Sequence, residues 1–167
     1  MYVPFNELPG YSRVWIYQSD RRFSPNEEIT ISEELNDFCT KWVAHGNPLK
    51  ASFRIEFNHF IILAVDETAA GASGCSIDGS VRTLKGIGAE LGIELFDRTK
   101  IAFFTEGRIN IHPIKDINAL FQSGTLLAST ITFNNLVADK SNFDTQWKTP
   151  VEKTWLAKYL PKNALSA

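Results

Sequence analysis

Four consecutive β-forming apolar residues lie between Arg13 and Gln18, which predicts a strand over 13–18 with Val14, Ile16 and Gln18 on one face and Trp15 and Tyr17 on the other. Large apolar groups on both faces place this strand in the middle of a sheet. Polar positions follow over 19–25. Ser32 then reads as the N-cap of a helix whose Leu35, Phe38, Cys39 and Trp42 recur at i, i+3, i+4 and i+7, with Gly46 as its stop and Pro48 just beyond. Residues 51–57 and 60–66 read as a hairpin across Asn58-His59. In its first strand Phe53, Ile55 and Phe57 alternate with Ser52, Arg54 and Glu56, giving one wet face. Positions 60–65 are apolar throughout, so the second strand is predicted to be buried on both faces.

A loop of small residues, 68–74, opens a second predicted helix with a stripe of Ile77, Val81, Leu84, Ile87 and Leu91. Gly79, Gly86 and Gly88 lower its helix propensity, which suggests close approach to the sheet. A further hairpin over 100–105 and 108–114 turns at Glu106-Gly107. A short helix over 115–123 ends at Gly124, a strand follows at 129–133, and residues 151–160 read as a closing helix. The order up to the short helix, βαββαββα, begins with the split βαβ plan of ferredoxin-like folds. The predicted class is therefore α+β: one domain over 1–167, an antiparallel or mixed sheet with two main helices on one face, and C-terminal additions.

With 167 residues, 44% of them apolar, the chain can bury one substantial core. Its net charge of -2 comes from acids and bases mixed along the chain, which argues against a nucleic-acid binder or a membrane-surface protein. The longest apolar run, 60–65, falls far short of the roughly 20 residues that span a bilayer. The two cysteines, Cys39 and Cys75, lie in helical segments, and the first ten residues lack a basic start and an apolar stretch. Reduced thiols in a cytoplasmic protein are the simpler expectation.

Glycine-rich residues 71–76 follow a buried strand and precede a helix, the context of a phosphate-binding loop. No Gly-Lys-Ser or Gly-Lys-Thr occurs, however, so the P-loop route to nucleotide hydrolysis is absent. Cys75, at the positive end of the helix dipole, is a candidate nucleophile. Six residues separate it from Arg82, one more than a thiol-phosphatase loop requires, and Asp78 within that run would repel phosphate. Asp66, Glu67 and Asp78 could converge at one sheet edge as acid/base or metal-binding groups, or could mark a strand exit and a helix start. His45, His59 and His112 share no ligand spacing with a cysteine or an acid, and no motif implies a metal or a cofactor. Trp15 and Trp42 read as core. Trp147 and Trp155 either cover the sheet, the favoured expectation, or stand in an interface.

Along nearly its full length the chain resembles short proteins of Bacteroidetes-type bacteria that carry the label "ABC transporter ATPase". The resemblance rests on Arg13-Val14-Trp15-Ile16-Tyr17-Gln18, Ala44-His45-Gly46, Ala64-Val65-Asp66-Glu67, Ala72-Ser73-Gly74-Cys75-Ser76-Ile77-Asp78, Leu95-Phe96-Asp97-Arg98 and Phe133-Asn134-Asn135-Leu136-Val137. The label implies ATP hydrolysis. This chain lacks a Walker lysine and a Leu-Ser-Gly-Gly-Gln signature, and is too short for that nucleotide-binding domain.

Three functional expectations follow. The leading one is a non-catalytic or regulatory module that binds a small molecule or protein at residues 66–82, with Asp66, Glu67, Ser73, Cys75, Ser76, Asp78 and Arg82 as its contacts. The alternative is a small enzyme using Cys75 as nucleophile or Asp66, Glu67 and Asp78 as acid/base or metal-binding groups, with Arg82 or His45 as electrostatic partner. The third is a self-associating structural protein using Trp147, Trp155 or an open sheet face.

Overall fold

The computed structural model describes residues 1–164; positions 165–167 of the predicted domain lie outside the described residues. The elements are β1 (Arg13–Gln18), α1 (Pro25–Lys41), β2 (Val43–Ala44), β3 (Asn47–Pro48), β4 (Lys50–Glu56), β5 (Phe60–Asp66), α2 (Gly74–Leu91), β6 (Lys100–Thr105), β7 (Arg108–Pro113), α3 (Ile114–Gln122), β8 (Ile131–Phe133), α4 (Lys140–Gln146) and β9 (Lys148–Pro150). The α+β class is as expected.

Two larger antiparallel sheets, with a two-stranded β2-β3 ribbon beside them, stand in place of the single ferredoxin-like sheet. One has the order β1-β5-β4 and the other β7-β6-β8-β9. The first sheet keeps the split βαβ arrangement, with β5 between β1 and β4 and antiparallel to both, Trp15 opposite Leu63 and Tyr17 opposite Ile61; the ferredoxin-like sheet is not completed because β6 pairs with β7 and β8 instead of lying beside β1. β1 is also an edge strand rather than a central one. Its two apolar faces are explained by stacking: side chains pack on both faces of this sheet, so even its edge strand is half-buried on each.

The side-chain period of two sorts the core into layers. Ile61, Leu63 and Val65 of β5 join Trp15 and Tyr17 under α1 and α2, where Ile31, Leu35, Cys39, Leu84 and Ile87 meet them. Phe60, Ile62 and Ala64 point the other way, with Val14 and Ile16, onto Ala102, Ile109 and Ile111 of the second sheet. The far face of that sheet, including Phe103, packs on Ile117 and Phe121 of α3 and on Val151, Leu156 and Leu160. The result is a four-layer stack, helices–sheet–sheet–helix, with the two main helices on one face as predicted. The expected wet face of β4 is covered as well: Ser52 is buried, and the Arg54 guanidinium lies 4.3 Å over the Phe5 ring.

Local chemistry explains the remaining differences. α1 starts at Pro25, not after Ser32, because Ser24 and Glu27 form a reciprocal capping box ahead of a proline fixed at a helical φ. It stops at Lys41, and His45-Gly46, both at positive φ, make the β2–β3 turn instead of a helix end. The β4–β5 turn uses Phe57 and Asn58 at positive φ, one position earlier than expected. The predicted closing helix is two 3-10 turns, Val151–Lys153 and Trp155–Tyr159, broken at Thr154. Gly88 does make a close approach, but to the carbonyl of Ile93 beyond its own helix; Gly86 meets nothing.

Glu34 of α1 and Glu90 of α2 face each other. Partial burial, then the hydrogen bond to Glu90 and the repulsion between the two carboxyls, raise the Glu34 pKa above its ordinary value. A raised acid contributes stability fully below the ordinary glutamate range and loses it as pH rises through the raised value. Glu34→Gln is therefore expected to raise Tm near neutral pH and to leave it unchanged at about pH 3, read by thermal melts across that range.

Candidate functional site

Three stripes run along α2. Ser76, Ser80, Leu84 and Ile87 form the buried one; Cys75, Asp78 and Arg82 lie on the exposed one. Between them, Ile77, Val81 and Lys85 line a cleft of about 1170 Å³.

The residues predicted to gather at the start of α2 divide accordingly. Asp66 ends β5 and closes a turn, accepting from the Thr68 N–H at 3.0 Å and the Thr68 hydroxyl at 2.6 Å. These bonds, the hydroxyl first, hold its carboxyl below the usual range, helped by nearby Lys50. Glu67 pairs with Arg13 at 3.5 Å. Ser73 caps α2 by accepting from the Ser76 N–H at 3.2 Å; the Ser76 hydroxyl donates back to the Ser73 carbonyl, and the Ser76 carbonyl accepts from the Trp42 indole. Asp66, Ser73 and Ser76 thus have structural partners, while Cys75, Asp78 and Arg82 face outward. His45 sits exposed in the β2–β3 turn. His59 is buried, and that burial lowers its pKa. Among the described residues no group of three His, Cys, Asp or Glu side chains is placed to hold a metal ion.

The cleft draws on separated parts of the chain: β1 residues 15–18, the middle stripe of α2, residues 95–98 and 100–102, and the segments around β8 and β9. A relay of side chains fixes its floor. The Trp147 indole donates to Asn135 at 2.9 Å, the Asn135 amide donates to Gln18 at 3.2 Å, and the Gln18 amide donates to the Lys100 carbonyl at 3.2 Å. This relay ties the two sheets together beside the outer edge of β1. Trp15, Tyr17, Phe96, Phe133 and Trp155 supply aromatic surface, and Leu136 and Trp155 are 84% and 53% exposed, unusually high for such large apolar groups.

The electrostatics are one-sided. Lys85, Arg98, Lys100, Lys148 and Lys153 line the cleft against a single carboxylate, Asp97. Asp97 is turned to the Thr99 N–H and hydroxyl and reaches Lys100 at 3.8 Å. The other four cations have no ion-pair partner among the described residues. A chain of net charge -2 therefore concentrates positive charge where two sheets and a helix converge.

Sequence reasoning missed this site because its cations are spread from position 85 to 153 and only the fold brings them together. Trp155 was the available signal. Of the two C-terminal tryptophans, Trp147 is core and Trp155 stands open at the cleft. Comparison with protein-family models, curated proteins and solved structures gives no match to this chain.

Proposed function

We propose that the protein is a non-catalytic binding module whose partner is an anion with an apolar or aromatic part, held in the cleft beside β1. The observation that carries this reading is an aromatic-walled recess lined by four cations that have no ion-pair partner among the described residues, Lys85 and Lys148 lying over the Phe96 and Phe57 rings. Apolar surface beside a charge strengthens its attraction for an anion that lies against both. Ile77 and Val81 belong to the segment 66–82 expected to bind, so the proposed site is the neighbouring face of the same helix start. Resemblance to short Bacteroidetes-type proteins belongs with this proposal and brings no ATPase activity, since the loop before α2 lacks the lysine that ATP hydrolysis needs.

Anilinonaphthalene sulfonate, an aromatic anion, is a direct probe. Saturable one-to-one binding to the folded protein is expected, weakened at least tenfold in the double variant Arg98→Glu, Lys153→Glu and weakened further by salt. Unsaturable binding, or equal affinity in the variant, would overturn the reading.

One observation favours a second reading, a small enzyme with Cys75 as nucleophile: the thiol is exposed in the first turn of α2, at the positive end of its dipole. The rate of Cys75 alkylation against pH tests it. A profile matching that of an ordinary free cysteine removes the nucleophile.

A further inference from the structure

β1 carries an unused row of backbone groups. Its first half is covered: the Val14 N–H donates to the Ala138 carbonyl, and the Lys140 N–H donates to the Ser12 carbonyl. Because Val14 points away from β5, alternation points the Ile16 N–H and C=O and the Gln18 N–H the same way. Among the described residues nothing pairs with them, and Ile16 and Gln18 both line the cleft. Soluble proteins usually blunt such an edge with a charge, a proline or a bulge. Ile16-Tyr17-Gln18 has none of these; it is recessed instead between α2 and residues 134–136.

We propose that the occupant of the cleft is an extended acidic polypeptide segment that adds to β1 as a further antiparallel or parallel strand. The inference rests on the anion-binding reading above and names its ligand class. Three features favour a polypeptide over a compact metabolite. The donor–acceptor–donor row on β1 repeats at the spacing of a strand, which only another backbone satisfies along its length. Apolar walls stand on both sides of that row, Ile77 and Val81 of α2 on one and Phe133 and Leu136 on the other, so alternate side chains of an added strand meet apolar surface on each side. The volume of about 1170 Å³ exceeds the roughly 300–1000 Å³ of small-molecule pockets. Charge sets the composition: five cations against one acid select Asp and Glu and reject basic segments.

Display selection from a random library of peptides of about ten residues, long enough to cover β1 at its rise per residue, provides the test. Acidic segments interspersed with apolar residues should be enriched, and the best peptide should displace anilinonaphthalene sulfonate. N-methylating, one at a time, the amides of that peptide should cost at least tenfold in affinity at alternate positions and little at those between. Ile16→Pro deletes an outward N–H while leaving the β1–β5 ladder intact, and should weaken the peptide at least tenfold. The methylation series needs no protein variant, so it decides even if that substitution does not fold. Sulfonate binding without peptide enrichment would overturn this inference and leave the anion-binding reading standing; loss of both would overturn both. Uniform tolerance of methylation, tighter binding of an oligouridylate than of any peptide, or self-association through β1 that excludes peptide would each also overturn it.

Discussion

Trp147→Ala is expected to cost about 3–5 kcal/mol, the range for removing a large buried aromatic group. The indole is 2% exposed and sits among the rings of Phe60, Phe133 and Phe143 at centroid distances of 5.0, 4.8 and 4.9 Å, with Phe57 at 6.0 Å. These rings come from the β4–β5 hairpin, β8 and α4, so the indole fills the junction between the two sheets. Alanine leaves a cavity there that three rigid rings cannot collapse to fill. It also removes the indole N–H that holds Asn135, and with it the relay through Gln18. For a chain of this size the Tm should fall by roughly 10 °C. Trp155→Ala should move Tm by under about 2 °C, since that ring is half exposed, yet should weaken sulfonate binding. Equal stability losses at the two positions would contradict the assignment of Trp147 to the core and Trp155 to the cleft.

The second large effect is at Gly88, where alanine is expected to destabilise by about 1–3 kcal/mol, while Gly86→Ala on the same helix stabilises by roughly 0.5–1 kcal/mol. A Cβ at Gly88 would lie 2.8 Å from the Ile93 carbonyl oxygen. That oxygen is backbone, and the turn carrying it is fixed: the Gly92 and Ile93 N–H groups both donate to the Gly88 carbonyl, with Gly92 at a φ of 65°. The clash can be relieved only by opening the end of α2, which also displaces Leu95 and Phe96 in the cleft wall. Gly86 is exposed with nothing within 4 Å, so a methyl group there only restricts the unfolded chain and favours the helix. Urea midpoints of the two variants should move in opposite directions at constant slope.

These two glycines also show how far the amino-acid pattern reads. Both lower helix propensity equally, and only the path of the chain after Leu91 tells which of them is crowded. Periodicity was enough to find β5, α2, the Glu106-Gly107 hairpin and the two-helix layer, because each buries a face whose spacing is local. It failed for β1, whose apolar faces gave the same signal in an edge strand between two covering layers as in a central one. It also misplaced the start of α1: Ser24-Pro25-Asn26-Glu27 is a capping box with a proline at its first turn, but it lies in a polar stretch that reads equally as a loop. The candidate site divides along the same line. Residues 66–78 were legible because they are contiguous, and much of their polarity goes into capping and turn closure. The cleft was not, because distance along the chain hides a field made by Lys85, Arg98 and Lys153 together.

β5 gives six residues, 60–65, to two cores at once, with no solvent face in any of them. The helical layer and the second sheet therefore rest on one shared strand. Whatever loosens one withdraws support from a strand on which the other depends, so the two layers are expected to melt together in a thermal or urea transition.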